Sequence, residues 1–308
     1  MRVITYDPGA AFGLRTDERD APRPGAGQAL VQVGAASLNF GEVAYISRQK
    51  PGYVPGWDAA GTVVEAAADG SGPPADARVV AFGPGGAWAQ QRAVDTAELA
   101  AIPDGVDFAT AAALPVVGVT ALRAVRTLGS LLGRTVLVTG ASGGVGRIAV
   151  QLAAKAGARV LAGAGSPERG EGLTRIGADA LVTGSGLDGL DEPVDAVIDN
   201  VGGPMLAAAL GHLAPGALVL AIGSASRQPT TIDYEDVRVQ AGGARIEAFS
   251  VFAAGAGWGA ELTYLLQLIE AGTLDVQVGW LGDWERVHEA AAALMERRVT
   301  GKAVLEVS

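Results

Sequence analysis

"LVTGASGGVGRIAVQLAAKAGARVLAGAGSPERG", which runs from Leu137 to Gly170, is the stretch that decides the fold class. A β-branched run ends at Thr139, and a glycine-rich loop separates it from a helix-forming run. In a nucleotide-binding βαβ unit, glycines let the backbone approach a pyrophosphate and the helix N-terminus binds the anion. The alternative is a glycine-rich turn without a ligand. The candidate phosphate-binding residues are Gly140, Ser142, Gly143, Gly144, Val145 and Gly146.

The end of the second strand of this unit predicts the cofactor. An NAD-specific site usually has an acid about 20 residues after the glycines, where it binds the ribose 2′-hydroxyl. No Asp or Glu lies between Ala158 and Pro167, and Ser166 and Arg169 stand there instead. A hydroxyl and a guanidinium suit a 2′-phosphate, so the pattern predicts NADPH. In the alternative, Ser166 only caps the next helix and Arg169 is solvated.

The remaining pattern predicts an α/β protein. The first third has short strands bounded by Gly, Pro or Asp, which is typical of a compact β-rich unit. From about Asp107 the chain reads as helical with a break at Pro115, after which strands and helices alternate. This alternation predicts a doubly wound parallel sheet of the Rossmann type. Within it, "PERGEGLTRIG" (167–177) is predicted to be a helix.

Composition excludes several kinds of protein and site. The 308 residues carry a net charge of −10 without a Lys/Arg cluster, which argues against nucleic-acid binding. The absence of cysteine excludes disulfides, thiolate nucleophiles and thiolate metal ligands, and two histidines are too few for a histidine-rich metal site. No apolar run is long enough to cross a membrane, so a cytoplasmic protein is expected.

The glycine motif "TGASGGVG" also fits the TGxxxGxG of short-chain dehydrogenases, but the rest of the chain does not. Those enzymes begin with the nucleotide fold, whereas 138 residues precede the motif here. They also carry a Tyr-x-x-x-Lys pair. Here Tyr234 is followed four positions on by Arg238, and Tyr264 by Leu268.

A different resemblance extends over almost the whole chain, in the order of the family concerned. The stretches that carry it are "SLNFGEV" (37–43), "PGWDAAGTVVE" (55–65), "AAALPVVGVTALRAV" (111–125), the glycine loop, "DAVIDNVGG" (195–203) and "GKAVLEV" (301–307). Through them the chain resembles the medium-chain dehydrogenase/reductase superfamily, in its zinc-free quinone oxidoreductase and enoyl reductase branch. The resemblance implies a GroES-like catalytic domain from residues 1–113 and 253–308, and a Rossmann NADPH-binding domain over 114–252.

The departures from the zinc enzymes of that superfamily predict that no metal is bound. Those enzymes resemble "PGHExxG" with a histidine ligand, and Trp57 occupies the histidine position here. Asp58 keeps the acid, but a single carboxylate does not make a three-ligand zinc site. We expect Asp58 to be a structural acid that bonds to backbone or to an arginine.

The resemblance also implies site residues. Asn39 is expected beside the nicotinamide, and Thr120 is expected to contact the cofactor near the domain junction. Tyr45 is a candidate proton donor or substrate-binding phenol. Each has a structural alternative: Asn39 as a strand-end turn residue, Thr120 as a helix cap and Tyr45 as a packing residue. Three further residues are expected to line the rest of the cofactor path: Asn200, Gly223 and Val251. The structural alternative for Asn200 is that it satisfies backbone groups.

Chemistry without a metal favours an activated substrate. Hydride addition to a conjugated C=C–C=O group produces an enolate, whose charge needs only hydrogen-bond donors. We therefore predict an NADPH-dependent reductase of quinones or α,β-unsaturated carbonyls, with a small hydrophobic or planar substrate. The alternatives are an enoyl reductase tailoring a polyketide or acyl intermediate, and an NADPH-binding protein with little turnover. Candidate pocket aromatics are Trp57, Phe82, Trp88, Phe249 and Trp258.

The stretch "ARIEAFSVFAAG" (244–255) predicts a homodimer. Relatives in the superfamily pair their last Rossmann strands across a two-fold axis. An exposed apolar edge strand satisfies its N–H and C=O groups by pairing with its own copy. The alternative is an edge that a local loop covers.

Overall fold

The computed structural model describes residues 1–253, 255 and 257–308, which fall into two compact units. The first unit comprises Met1–Val119 and Gly255–Ser308, and the second comprises Thr120–Ala254. The boundary between Val119 and Thr120 lies inside a helix. The domain limits expected from the sequence, at 113/114 and 252/253, stay a proposal. Residue 254, which the predicted segments 244–255 and 253–308 share, lies outside the described residues, as does residue 256.

The first unit is built on a largely antiparallel sheet with the order β14-β15-β3-β4-β5-β7, in which β6 also pairs with β3. A separate hairpin joins β1 to β2. Its strands are β1 (Arg2–Tyr6), β2 (Leu14–Glu18), β3 (Gln28–Leu38), β4 (Asp58–Glu65), β5 (Arg78–Phe82), β6 (Gln91–Asp95), β7 (Leu99–Ala101), β14 (Val278–Asp283) and β15 (Lys302–Glu306). Its helices are α1 (Phe40–Ala44), α2 (Phe108–Ala113), α7 (Gly259–Glu270) and α8 (Val287–Met295), while α3 (Pro115–Thr127) continues into the second unit.

The last strand of the chain returns to the centre of the first unit. β15 pairs antiparallel with β3, and Ala303 lies opposite Leu38. This register places Lys302 beside the end of β3, where Asn39 is the N-cap residue of α1. Two residues that are far apart in the sequence therefore meet in the interior of one sheet.

The second unit is a parallel sheet of six strands in the order β10-β9-β8-β11-β12-β13. Its elements are β8 (Thr135–Thr139), α4 (Gly144–Lys155), β9 (Arg159–Ala164), β10 (Ala180–Thr183), β11 (Val194–Asp199), α5 (Gly203–Leu210), β12 (Leu213–Ala221), α6 (Tyr234–Gln240) and β13 (Arg245–Ala248). The order reverses between β8 and β11, which is the switch point where doubly wound sheets bind ligands. The predicted fold class is confirmed.

The helix predicted over 167–177 does not form. Two short 3₁₀ turns, Glu168–Gly170 and Thr174–Ile176, replace it. A Cβ on Gly170 would lie 2.5 Å from the side chain of Leu181. Gly172 has a φ of +80°, which an α-helix does not contain. The glycines that bring this segment close to the sheet therefore also interrupt the helix.

The edge strand β13 is shorter than the segment 244–255, over which an edge strand was predicted. It pairs in parallel with β12 and ends at Ala248, so Phe249 and Val251 lie beyond it. All four strand residues are exposed.

Among the described residues, the helices are too short or too polar to cross a lipid bilayer.

Candidate functional site

The glycine loop connects the carboxyl end of β8 to α4, at the switch point of the sheet. Gly140 has a φ of +60°, and its carbonyl accepts a hydrogen bond from the backbone N–H of Gly143 at 3.0 Å. A Cβ on Gly146 would lie 2.3 Å from that carbonyl oxygen and 2.6 Å from Cα of Ala141, so only glycine fits. The loop thus packs tightly on its inner side while the first-turn N–H groups of α4 lack helical partners.

The outer side of the loop is more open. Gly143 is the N-cap of α4, and Gly144 and Val145 form its first turn in half-exposed positions. Ser142 is buried, with 3% of its surface exposed. A half-exposed helix N-terminus is the arrangement that binds a phosphate.

Arg169 reaches the glycine loop. Its Nη2 donates to the hydroxyl oxygen of Ser142 at 3.2 Å, and its backbone N–H donates to the hydroxyl oxygen of Ser166 at 3.4 Å. The structure therefore brings together Ser142, Ser166 and Arg169. Ser166 does accept a backbone hydrogen bond, as its alternative role as a capping residue requires. The half-buried Arg169, in contrast, is not simply solvated.

A second arginine supports the same loop, and the sequence analysis missed it. Arg147 lies on α4 and is 3% exposed. Its Nε donates to the carbonyl of Ser142 at 3.3 Å and its Nη2 to the carbonyl of Glu171 at 3.1 Å. Arg147 therefore connects the glycine loop to the segment that carries Arg169. The available signal was an arginine flanked by small and apolar residues in the first half of the helix.

Hydrogen bonds connect the carboxyl end of β11 to the carboxyl end of β8. Asn200 donates from Nδ2 to the carbonyl of Thr139 at 2.9 Å, which is the structural role considered for it. Asp199 is fully buried, accepts from the hydroxyl of Thr139 and from the N–H of Gly202, and its burial raises the pKa of its carboxyl. A Cβ on Gly223 would lie 2.6 Å from the carbonyl oxygen of Asn200.

The last two cofactor candidates of the second unit are both buried. Thr120 is 4% exposed and lies in the middle of α3, so it is not a helix cap. Val251 is 6% exposed, and its carbonyl accepts from Nη1 of Arg123 at 3.4 Å. Contact of either residue with a cofactor stays a proposal.

A buried polar cluster surrounds Asn39 in the first unit. The Nδ2 of Asn39 donates to Glu42 and to Asp58, at 2.8 Å each. Its Oδ1 accepts from Nζ of Lys302. Asn39 therefore does follow the end of a strand and occupy the N-cap position of a helix, but its amide makes no capping hydrogen bond and is fixed in one orientation by three other partners. Glu42 and Lys302 were not predicted, because helix α1 and the β3–β15 pairing bring them to this point.

Asp58 is a structural acid, as expected. It accepts from the hydroxyl of Ser37 at 2.8 Å and from the backbone N–H of Val116 at 2.9 Å. Its ionic partner is Lys302 at 3.2 Å, and not an arginine. Both side chains are almost completely buried. A buried ion pair is costly unless hydrogen bonds satisfy both groups, and here the neighbouring groups do so.

Glu42 is the group in this cluster whose acidity is most changed. Its two oxygens accept from the backbone N–H of Gly56 and from Asn39, at 3.0 and 2.8 Å. Burial, and then the charge of Asp58, raise the pKa of Glu42 from 4.5 to about 8. Glu42 is therefore mostly protonated at neutral pH.

This raised pKa predicts a pH dependence of stability. The folded state holds a proton that the unfolded state releases above pH 4.5, so the free energy of unfolding should fall between pH 4.5 and about 8. The contribution of Glu42 to this fall is roughly 1.4 kcal/mol per pH unit at most. Glu42→Gln, which imitates the protonated acid, should flatten the profile measured by urea unfolding. The exposed Glu65→Gln is the control, and parallel profiles for Glu42→Gln and the wild type would contradict the prediction.

The aromatic candidates divide between core and partly exposed positions. Tyr45 follows α1 and is half-buried, with the Arg48 guanidinium 4.3 Å from its ring centroid. Phe82 and Trp88 are fully buried in the first unit. Phe82 also contacts Trp258, with ring centroids 4.3 Å apart. Trp57 and Phe249 are half-buried.

In the part of the chain that the structure describes, no three His, Asp or Glu side chains group where they could hold a metal ion.

Two family models match the chain. One described as an alcohol dehydrogenase GroES-like domain matches residues 25–104, and one described as a zinc-binding dehydrogenase matches residues 176–305. Among curated proteins, acrylyl-CoA reductase of Ruegeria pomeroyi is 36% identical over 221 residues, which cover 65% of this chain and 66% of that protein.

A phenolphthiocerol/phthiocerol polyketide synthase subunit of Mycobacterium tuberculosis is 31% identical over 237 residues. The match covers 72% of this chain, but the chain spans only 11% of the length of that protein. Two solved mycobacterial structures are each 26% identical and cover 99% of both chains. One is described as complexed with NADPH and has a TM-score of 0.88. The other is described as a quinone oxidoreductase and has a TM-score of 0.86.

Proposed function

The chain belongs to the medium-chain dehydrogenase/reductase superfamily, and we propose that it is a zinc-independent, NADPH-dependent reductase of quinones or α,β-unsaturated carbonyl compounds. The observation that carries the proposal is the glycine loop with Arg169 against Ser142, together with the absence of Asp and Glu between Ala158 and Pro167. The relatives named as a quinone oxidoreductase and an acrylyl-CoA reductase support this substrate class.

The residues of the second unit fit the proposed cofactor. The half-exposed N-terminus of α4 binds the pyrophosphate, and the close approach of Gly146 to Gly140 keeps the loop in the required shape. Arg169 and Ser166 bind the 2′-phosphate. Asn200, Gly223 and Val251 line the rest of the path. When bound, NADPH supplies the hydride.

Replacing Arg169 by alanine should narrow the preference for NADPH over NADH, which we expect to be at least tenfold in the wild type. Loss of a charged hydrogen bond to phosphate costs about 1.5–3 kcal/mol. Binding constants of both nucleotides, measured by fluorescence titration, check this. Arg175→Ala is the matched control, because Arg175 is exposed in the next 3₁₀ turn. Equal affinity of the wild type for the two nucleotides would contradict the assignment.

Two of the proposed catalytic residues, Asn39 and Tyr45, belong to the first unit, and the third, Thr120, belongs to the second. Asn39 is our candidate for the position beside the nicotinamide, and its three hydrogen-bond partners fix its orientation. Tyr45 is a candidate proton donor, and Thr120 of α3 a cofactor contact. The substrate must accept hydride without a metal, and a conjugated carbonyl does so because hydrogen-bond donors can stabilise the enolate.

The direct test is NADPH consumption with a panel of quinones, enones and saturated ketones. We expect turnover of the first two classes, none of the third, and no loss of activity after exhaustive chelation. Abolition by a chelator would reject the zinc-independent assignment. Tight NADPH binding without turnover of any substrate would favour a binding protein.

An enoyl reductase that tailors an acyl or polyketide intermediate is the second candidate, and the polyketide synthase relatives favour it. The same hydride chemistry applies, but the substrate is attached to a carrier. Comparing kcat/KM for a crotonyl group on an acyl carrier protein, on coenzyme A and in a free amide separates the two candidates. We expect the free substrates to be preferred, because Lys and Arg are sparse in the chain.

We also propose a homodimer formed along β13. Ile246 of this strand is 42% exposed. Ile232, Tyr234 and Val239, just before it in the sequence, are 46%, 75% and 66% exposed. A two-fold pairing of the edges satisfies the open backbone groups and covers apolar surface. Ile246→Glu should convert a dimer to a monomer in light scattering, and a monomeric wild type at micromolar concentration would refute the proposal.

A further inference from the structure

A buried arginine in the first unit lacks an ionic partner. Arg92 lies on β6 and is 7% exposed. Among the described residues, its side chain makes one hydrogen bond, from Nη1 to the carbonyl of Trp57 at 3.2 Å, and has no carboxylate within 4.0 Å. Arginines are almost never buried unless they are paired, because transfer of a charge from water is costly.

Arg92 forms part of the wall of a cavity of about 430 Å³. This volume suits a small organic molecule. Most of the other wall residues are apolar or glycine, Val3, Val54, Phe82, Pro84, Ala89 and Val94 among them, and the polar ones are Arg19, Gln28, Gln91, Asp95 and Glu98. A ligand that fits both parts of the wall has one charged end and an apolar body.

Two glycines lie next to the guanidinium, where a larger residue would displace it. A Cβ on Gly83 would lie 2.7 Å from Nη2 of Arg92, and one on Gly86 would lie 3.8 Å from Nε. Neither Nε nor Nη2 donates to a described residue. These two groups form the edge of the guanidinium that binds both oxygens of a carboxylate side by side.

The nearby acids do not neutralise this charge. Asp58 is paired with Lys302, and Glu42 is held in its protonated form. Glu98 accepts from the backbone N–H groups of residues 257 and 258. Burial lowers the pKa of Arg92 to about 10, so the guanidinium stays charged at neutral pH.

We propose that this cavity is a binding site for a small organic monocarboxylate. Its carboxylate accepts hydrogen bonds from Nε and Nη2 of Arg92, and its apolar body packs against Val54, Phe82 and Val94. Among the described wall residues, the other cationic groups are the Arg19 side chain, which is exposed and donates to the carbonyl of Gly52, and the exposed N-terminal ammonium of Met1, which donates to the carbonyl of Arg19. One buried charge therefore fits a monoanion. The site does not depend on the proposed reductase function.

Thermal unfolding without nucleotide tests the site, with sodium hexanoate as the probe. Hexanoate should raise the Tm of the wild type saturably, because a ligand that binds only the folded state stabilises it. Hexanamide and sodium chloride at equal concentration should not. An absence of stabilisation by hexanoate would overturn the proposal, and so would equal stabilisation by inorganic phosphate.

Two variants test whether hexanoate binds at Arg92. Arg92→Met should abolish the response to hexanoate and leave the Tm of the free protein unchanged or higher, because an unpaired buried charge is removed. Gly83→Ala keeps the charge but displaces the guanidinium. The hexanoate concentration that gives half of the maximal rise in Tm should therefore increase at least tenfold. Arg238→Met, at an exposed arginine paired with Glu235, is the control. A full response in both site variants would overturn the proposal, and Gly83→Ala decides it if Arg92→Met does not fold.

Discussion

Lys302→Met should lower the free energy of unfolding by about 3–5 kcal/mol, the typical cost of removing one partner from a buried ion pair. Lys302 is 3% exposed, and its Nζ donates to the carbonyl of Leu38, to Asn39 and to Asp58. Methionine fills a similar volume but donates nothing. The variant therefore leaves the carboxylate of Asp58 buried without a counter-charge, and urea unfolding at pH 7 measures the loss.

A double-mutant cycle separates the ion pair from general damage to packing. Asp58→Asn removes the charge of the acid, so Lys302→Met in that background should cost about 1–3 kcal/mol less than in the wild type. Lys155→Met, at an exposed lysine that ends α4, should change stability by at most about 0.5 kcal/mol. Additive single effects would show that Lys302 and Asp58 are not coupled.

Gly146→Ala should reduce NADPH affinity by on the order of 100-fold, or about 3 kcal/mol, and also lower the Tm. The new methyl group would lie 2.3 Å from the carbonyl oxygen of Gly140 and 2.6 Å from Cα of Ala141. Both atoms belong to the backbone of the glycine loop and cannot rotate away. The loop must therefore move away from α4, which separates the phosphate-binding N–H groups.

Two other glycine variants are the controls for Gly146→Ala. A Cβ on Gly143 would lie 3.5 Å from the carbonyl oxygen of Gly140, an ordinary contact, so Gly143→Ala should keep the Tm while its methyl group weakens nucleotide binding. Gly105→Ala adds a methyl group in open space and should change neither quantity. Titration and thermal unfolding of all three variants check the prediction, which fails if Gly146→Ala binds NADPH as the wild type does.

The sequence alone determined the features that depend on local pattern. The β-branched run to Thr139, the glycines after it and the helix-forming run are contiguous, so they specify β8, the loop and α4 without reference to distant residues. The regular alternation of strands and helices specified the doubly wound parallel sheet. The resemblance of the chain's motifs supplied the superfamily.

Local pattern was not sufficient where packing on a distant residue decided the backbone. The segment 167–177 has a good helix start at Ser166 and Pro167, yet it forms 3₁₀ turns. Gly170 must pass close to Leu181 on β10. That contact depends on where β10 lies in the sheet, which the propensities of the segment do not encode.

Only the tertiary structure decided the two buried charge arrangements of the first unit. Lys302 meets Asn39 and Asp58 because β15 pairs with β3 in one register, across more than 240 positions of sequence. Among the described residues, Arg92 lacks an ionic partner because the folded chain brings mainly apolar residues and glycines against its guanidinium, and no carboxylate within 4.0 Å. Sequence patterns record which side chains are charged. The cost of burying a charge depends on its neighbours and its distance from water, and folding alone sets both.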